Sequence, residues 1–284
     1  MADQRAATPK PPRKRPLASL LVEQGLFDSE GEALGWILAG QVLVNGRPVD
    51  KPRTPINPKA TLEVRGRNRF VSRGGYKLDA ALDHFHVAVA GRIVLDCGAS
   101  TGGFTDCLLQ RNAALIYAVE VGYGQLSGRL RNDQRVRNME RTNLSDPRLG
   151  LLDPRPTLIT LDLSYLSLTD ALPPAASLLA PGGDLLALFK PLFEVDDAEA
   201  RRTGRIPNDR LIVLALQRVL DVGSRIRVRP IGAAKLALRP RHGVSEYFLH
   251  FAAGADAETW RYTTDTLTDI IADAGIGKQQ EETQ

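Results

Sequence analysis

The sequence predicts an α/β protein, a mostly parallel sheet covered by helices on both faces, preceded by a small α+β module. Three observations predict it. From about residue 76 onward, continuous apolar runs alternate with segments of helical periodicity, the pattern of strands buried on both faces. The first of these runs, "RIVLDCG", passes directly into a glycine-rich turn and a helix. Before residue 65, two short helical patterns precede an alternating stretch broken by Asn45-Gly46. The chain has 284 residues, of which 43% are hydrophobic, enough to bury a sizeable core and a small second module.

Each element follows in order. Residues 1–14, rich in Pro, Lys and Arg, are expected to be a disordered basic tail. "PLASLLVEQG" places Leu17, Leu20 and Leu21 on one helical face and stops at Gly25. "DSEGEALGWILAG" repeats the pattern, with Asp28 or Ser29 as cap and Gly40 as stop. "QVLVNGRPV" reads as a strand, a tight turn and a second short strand, and "ATLEV" as a last strand that closes a module over 15–64. The stretch 65–75 is read as a linker. A larger domain over 76–254 follows, with the helix "YKLDAALDHF" and seven strands: "RIVLDCG", "LIYAVEVG", "RVRNME", "TLITLDLSYL", "GDLLALFKP", "RIRVRPI" and "EYFLHF". Residues 255–284 are expected to hold a final helix and a tail.

Charge is unevenly placed. Residues 1–73 carry 13 Lys and Arg against 7 Asp and Glu, whereas the remainder carries 24 against 26. A basic front on a near-neutral body suits an anionic partner. Arg13, Lys14, Arg15, Arg47, Lys51 and Arg53 are the expected contacts. In "RGRNRFVSRGGYK", Arg65, Arg67, Arg69 and Arg73 suit phosphates, and Phe70 suits stacking on a base. No apolar run approaches the roughly 20 residues that span a bilayer. The basic start lacks a signal-peptide core, so the chain reads as cytoplasmic. Cys97 and Cys107 are expected to be buried thiols, and the scattered cysteines and histidines lack metal-ligand spacing.

The turn "VLDCGASTGGFTDCLL", residues 94–109, fits two chemistries. Gly98 to Gly102 matches G-x-S-x-G, the nucleophile elbow of an α/β-hydrolase. That reading needs an acid and then a histidine later in the chain, which leaves only His242 and His250. His250 falls in an apolar strand, and the turn follows the domain's first strand rather than a later one. The second reading is a loop that cradles a nucleotide-like cofactor, and it accounts for more residues. Asp96 ends the first strand, and an acid there suits a cationic ligand such as S-adenosylmethionine, with its ammonium and sulfonium centres. Gly98, Gly102 and Gly103 let backbone approach the ligand. Ser100 and Phe104 flank them. Glu120, at the end of the second strand, is placed to accept ribose hydroxyls, and Asn143 is an adenine-side candidate.

A second constellation consists of charges on apolar elements. Asp162 and Lys190 sit at the carboxyl ends of the fourth and fifth strands, where parallel sheets bind ligands. Lys77 precedes them on the first helix, and Glu246 opens the last strand. A charge ending an apolar strand is costly unless it is paired or functional.

These stretches resemble two known families. The module with "VLVNG" resembles the αL-motif RNA-binding domain. "SRGGYKLDAAL", "VLDCGASTGGFTDCLLQ", "VEVGYGQL", "LDLSYLSL", "LFKPLFEV" and "GVSEYFLHF" together resemble the TlyA family of bacterial rRNA methyltransferases, from Arg15 to about Phe251. The resemblance implies a Rossmann-like class I methyltransferase domain of FtsJ type and a small RNA-binding domain. It implies S-adenosylmethionine-dependent 2′-O-methylation of a ribose, on cytidine in ribosomal RNA, with ribosomal subunits as partner; no membrane or metal partner is expected from the residues themselves. It places a catalytic tetrad on Lys77, Asp162, Lys190 and Glu246. On this reading Lys190 is the base, Lys77 favours its neutral form by like-charge repulsion, Asp162 holds it, and Glu246 orients Lys77. A non-catalytic RNA-binding assembly factor is the alternative from another class. A membrane-damaging haemolysin, an older label for such proteins, is a third, disfavoured by the lack of an apolar span.

Overall fold

The computed structural model describes residues 14–27, 29–66, 69–226, 228–238, 243–254 and 261–277. The chain divides into two compact units, with the boundary between Arg69 and Phe70.

The first unit begins with β1 (Arg15–Pro16), α1 (Leu17–Glu23) and α2 (Glu30–Leu38), followed by β2 (Val42–Val44), β3 (Arg47–Pro48), β4 (Pro55–Ile56) and β5 (Leu62–Val64). Of the two candidate caps for α2, Ser29 accepts the Glu32 amide at 3.1 Å, and a glutamate at that third position completes the sequence form of a capping box; Asp28 lies outside the described residues. Asn45 and Gly46 both take positive φ, +51° and +76°, as a two-residue hairpin turn of type I′ requires. The turn joins β2 to β3, and β5 pairs on the other side of β2. Leu17, Leu21, Phe27, Ile37 and Val42 form the unit's core.

The second unit comprises α3 (Arg73–His84), β6 (Ile93–Cys97), α4 (Gly103–Gln110), β7 (Leu115–Glu120), α5 (Gly128–Arg131), β8 (Val136–Glu140), β9 (Leu158–Leu161), α6 (Leu168–Leu178), β10 (Asp184–Phe189), α7 (Pro191–Glu194), α8 (Ala198–Thr203), α9 (Asp209–Arg225), β11 (Val228–Lys235), β12 (Tyr247–Ala253) and α10 (Thr264–Ala272). Its seven-stranded sheet has the order β11-β12-β10-β9-β6-β7-β8. β12 runs antiparallel to both neighbours, and the other pairings are parallel. The central strands are apolar along their length because helices cover both faces: one cluster centres on Leu95, Ile159 and Leu216, the other on Val94, Leu108 and Phe248. The strand order reverses between β6 and β9, so the crevice outside their carboxyl ends is where a ligand is expected.

Part of the expected linker belongs to this unit. Arg73 to Gly75 already form the first turn of α3. Phe70, expected to stack on a base, is 1% exposed and packs edge-on against Tyr76 at 4.9 Å. An aromatic ring next to glycines is driven into the nearest groove by the area it removes from water, and Gly75 supplies that groove, since a Cβ there would strike the Phe70 ring.

Candidate active site

The site is built on the ends of three adjacent strands. β6 ends at Cys97, and the chain then turns through Gly98 (φ +85°), Ser100 (φ +48°) and Gly102 (φ +99°) before α4 begins. The turn is pinned to β7: the Gly98 and Ala99 amides donate to the Val119 carbonyl at 2.9 and 3.0 Å. Glu120 Oε2 accepts the Ser100 amide at 2.9 Å, and Oε1 accepts the Gly122 amide at 2.7 Å. On the other side, the Asp162 amide extends the β6–β9 ladder to the Cys97 carbonyl at 2.9 Å.

Asp162 leaves β9 and Lys190 leaves β10, neighbouring strands, so their side chains meet. Lys190 Nζ forms an ion pair with Asp162 Oδ1 at 2.5 Å, while its well-angled hydrogen bonds go to the Leu163 carbonyl at 3.0 Å and Ser164 Oγ at 2.9 Å. Lys77, one turn into α3, forms an ion pair with Glu246, which precedes β12. All four side chains are mostly shielded, between 15 and 24% exposed, so both pairs are screened far less than surface pairs. The four residues line one cavity of about 430 Å³ together with Gly98 to Thr101, Gly103 and Phe104. Ser72, Ser164, Phe193 and Val244 line it too and were not singled out from sequence. The signal for Ser164 was present, a second polar residue in the apolar run that carries Asp162. Phe193 had none, because an aromatic in "KPLFE" reads as core, yet it is 46% exposed.

Several expected cofactor contacts fall elsewhere. Asp96 is 0% exposed and faces inward, accepting the hydroxyls of Thr105 at 2.7 Å and Thr160 at 2.9 Å. Burial pushes its carboxyl up to about 6, against those two hydrogen bonds, which pull it down. Asp96 is not among the residues that line the cavity. Gly102 meets Leu126 and Leu130, so its lack of a Cβ serves helix packing. Asn143 turns its Oδ1 to the Ser145 amide at 2.9 Å, outside the cavity lining. Glu120 also lies outside that lining, and its carboxylate braces the turn. Arg73, expected on the RNA path, lines the cavity.

Of the other basic residues, Lys14, Arg15, Arg47, Lys51, Arg53, Arg65 and Arg69 are exposed. Arg13, Arg67 and His242 lie outside the described residues. His250 packs against Phe85 and contacts Asp184 at 2.8 Å, so it is no partner for Ser100. Cys97 and Cys107 are buried and neither forms a disulfide. Among the described residues no group of His, Cys, Asp and Glu could hold a metal ion, and no helix is long and apolar enough to cross a membrane.

A sheet of this strand order, with a polar cavity over its switch point, defines a Rossmann-like methyltransferase. Comparison with known proteins carries the assignment further. Residues 70–225 match the FtsJ-like methyltransferase family and residues 15–62 the S4 domain. TlyA of Mycobacterium tuberculosis, named a 16S/23S rRNA (cytidine-2′-O)-methyltransferase, is 38% identical over 238 residues, covering 83% of this chain and 89% of its own. Hemolysin A of Brachyspira hyodysenteriae is 36% identical over 233 residues, covering 80% and 95%. The solved structure of a hemolysin-named protein from Streptococcus thermophilus superposes with a TM-score of 0.66 at 34% identity, over 93% of this chain and 96% of that one. The chain belongs to the TlyA family of FtsJ-like methyltransferases.

Proposed function

We propose that this protein transfers a methyl group from S-adenosylmethionine to the 2′-hydroxyl of a cytidine ribose in ribosomal RNA. The observation that carries the reading is the convergence of Lys77, Asp162, Lys190 and Glu246 on one cavity over the switch point of the sheet. The substrate class is supported by the S4 match, the exposed basic residues of the first unit and the named activity of the tuberculosis relative.

The turn from Gly98 to Phe104 fits the methyl donor. Gly98 to Thr101, Gly103 and Phe104 line the cavity, and its volume suits a ligand of that size. Gly98, Ser100, Gly103 and Phe104 would hold it, with Glu120 fixing the turn from behind. When bound, S-adenosylmethionine supplies an electrophilic methyl on a sulfonium centre.

The protein's own residues deal with the hydroxyl, a poor nucleophile at neutral pH. Lys190, once its ammonium has released a proton to solvent, takes the hydroxyl proton onto Nζ. Asp162 holds Nζ in place and stabilises the ammonium that forms. Lys77, held by Glu246 and lining the same cavity, helps to orient the hydroxyl. Fixing the hydroxyl in attack geometry contributes most, because effective concentration alone lowers such barriers by several kcal/mol, up to about 10. The test is Lys190→Ala assayed with tritiated S-adenosylmethionine on ribosomal subunits that lack the modification. Methyl transfer is expected to disappear while S-adenosylmethionine still binds; retained turnover refutes the role.

A further inference from the structure

Glu194 is a buried carboxylate outside the cavity, 8% exposed, and nothing in the transfer described above uses it. It sits one turn beyond Lys190, at the end of α7. Its Oε1 accepts the Leu168 amide at 2.8 Å and its Oε2 accepts Ser167 Oγ at 2.9 Å. Both donors lie at the start of α6, immediately after the segment 162–166 that carries Asp162. Ser167 already caps that helix through the Thr169 amide at 3.1 Å, so the helix has a cap without Glu194. The backbone of α7 is pinned from behind as well, with Arg218 Nη2 donating to the Glu194 carbonyl at 2.5 Å.

The two strand-end segments are therefore stitched twice. At the near end Lys190 Nζ bonds the Leu163 carbonyl and Ser164 Oγ. At the far end the Glu194 carboxylate bonds Ser167 and Leu168. Burying a carboxylate is unfavourable, and burial holds this one above the usual range for glutamate. The α6 N-terminus and two directed donors offset that, but only while both segments keep their spacing.

We propose that Glu194 is a positioning residue for methyl transfer: it fixes the spacing between the Asp162 and Lys190 segments and thereby sets where Lys190 Nζ stands. The proposal rests on the reading of Lys190 as the base. It reaches the chemistry through Lys190, and the bonds Glu194 makes are to Ser167, Leu168 and Arg218, none of them in the turn after β6, so its signature is a loss of rate that exceeds any loss of binding.

The experiment compares Glu194→Gln and Ser167→Ala with the unaltered full-length protein, measuring kcat, KM for ribosomal subunits, Kd for S-adenosylmethionine and melting temperature. Glutamine keeps the size but turns an amide donor toward one of the two donors. Small displacements at a reacting group cost up to roughly 100-fold in rate. The expected result for Glu194→Gln is a kcat lowered roughly 10- to 100-fold, with KM and Kd within about twofold. Ser167→Ala removes one of the two bonds and also the α6 cap, so it is expected to lower the melting temperature modestly and kcat severalfold with Kd unchanged, and it keeps the proposal testable if Glu194→Gln does not fold. Combined with Ser164→Ala, either change is expected to be non-additive, because both act on the same amine. The proposal is overturned if kcat is unchanged, or if Kd rises and the melting temperature falls in step with the loss of kcat, as for a purely structural role. Lys190→Ala assayed in parallel separates the two readings. A dead Lys190→Ala beside fully active Glu194 and Ser167 variants removes the positioning role alone. An active Lys190→Ala removes the underlying mechanism.

Discussion

The carbonyl oxygen of Asp162 occupies the space that a side chain on Gly98 would need. The first residue of the glycine-rich turn after β6 and the residue paired with Lys190 are thus in backbone contact, side by side at the ends of β6 and β9. The constraint is double, because Gly98 also has φ +85°. Left-handed backbone alone costs an alanine roughly 1–2 kcal/mol. Gly98→Ala is expected to lower S-adenosylmethionine affinity at least tenfold and methyl transfer further still, since Asp162 must move. Gly182→Ala is the control, with φ +71° but open space around it, and is expected to lower only the melting temperature. Isothermal titration and a thermal melt on both variants distinguish steric displacement from backbone strain.

Asp96 gives the protein a pH-dependent term in its stability. Its carboxyl is raised from an ordinary value of 3.8 to about 6 in the folded state. A raised acid binds its proton more tightly when folded, so the contribution is complete below about pH 4 and is lost as pH rises through 6. Asp96→Asn mimics the protonated form, and the two threonine hydroxyls that now donate to the carboxylate can rotate to accept an amide proton. The variant's stability relative to the unaltered protein is expected to rise between pH 4 and 7 by up to about 3 kcal/mol. Urea melts at three pH values check this, and parallel curves for the two proteins would show that Asp96 keeps its ordinary acidity.

These two residues also mark how far sequence reasoning reaches. Asp162 and Lys190 were legible because a charge at the end of an apolar strand is conspicuous and parallel topology brings strand ends together, whereas Lys77, on helix α3, and Glu246, ahead of antiparallel β12, joined them only through the family resemblance. The seven strands were legible because their runs are long and their helices periodic. Asp96 has the same sequence signature as Asp162, an acid ending an apolar strand, yet it points inward. Which way a strand's last side chain faces depends on the pleat and on whether the neighbours offer hydroxyls, as Thr105 and Thr160 do. Phe70 and Gly102 failed for a related reason. An aromatic beside arginines and a glycine in a binding turn fit a ligand-facing role as well as a packing role, and only the three-dimensional partners, Gly75 for one and Leu126 and Leu130 for the other, decide.

Phe70 follows from that distinction. A ring 1% exposed in the core of the second unit contributes to stability and not to base stacking. Phe70→Ala is expected to destabilise the protein by about 3–5 kcal/mol, the range for removing a buried aromatic. RNA affinity measured on the folded fraction is expected to stay within about threefold. A large loss of affinity at unchanged stability would restore the stacking role.

The exposed basic residues of the first unit make the last prediction. Arg47, Lys51 and Arg53 are exposed, whereas Arg15 is already engaged by Glu23 at 2.5 Å. A cation free to meet a phosphate releases condensed counterions on binding, so its contribution appears in the salt dependence of affinity, at roughly 0.7 to 0.9 of a unit in slope per contact. Replacing Arg47, Lys51 and Arg53 together with glutamine is expected to reduce the slope of log affinity against log salt by about 2 units and to weaken binding most at low salt. Arg15→Gln alone is expected to change the slope by much less than one contact's worth, because breaking its ion pair with Glu23 offsets what a phosphate would supply. Filter binding to a ribosomal RNA fragment at four salt concentrations reads both slopes. Equal slopes for the triple variant and the unaltered protein would move the RNA contact off these three residues.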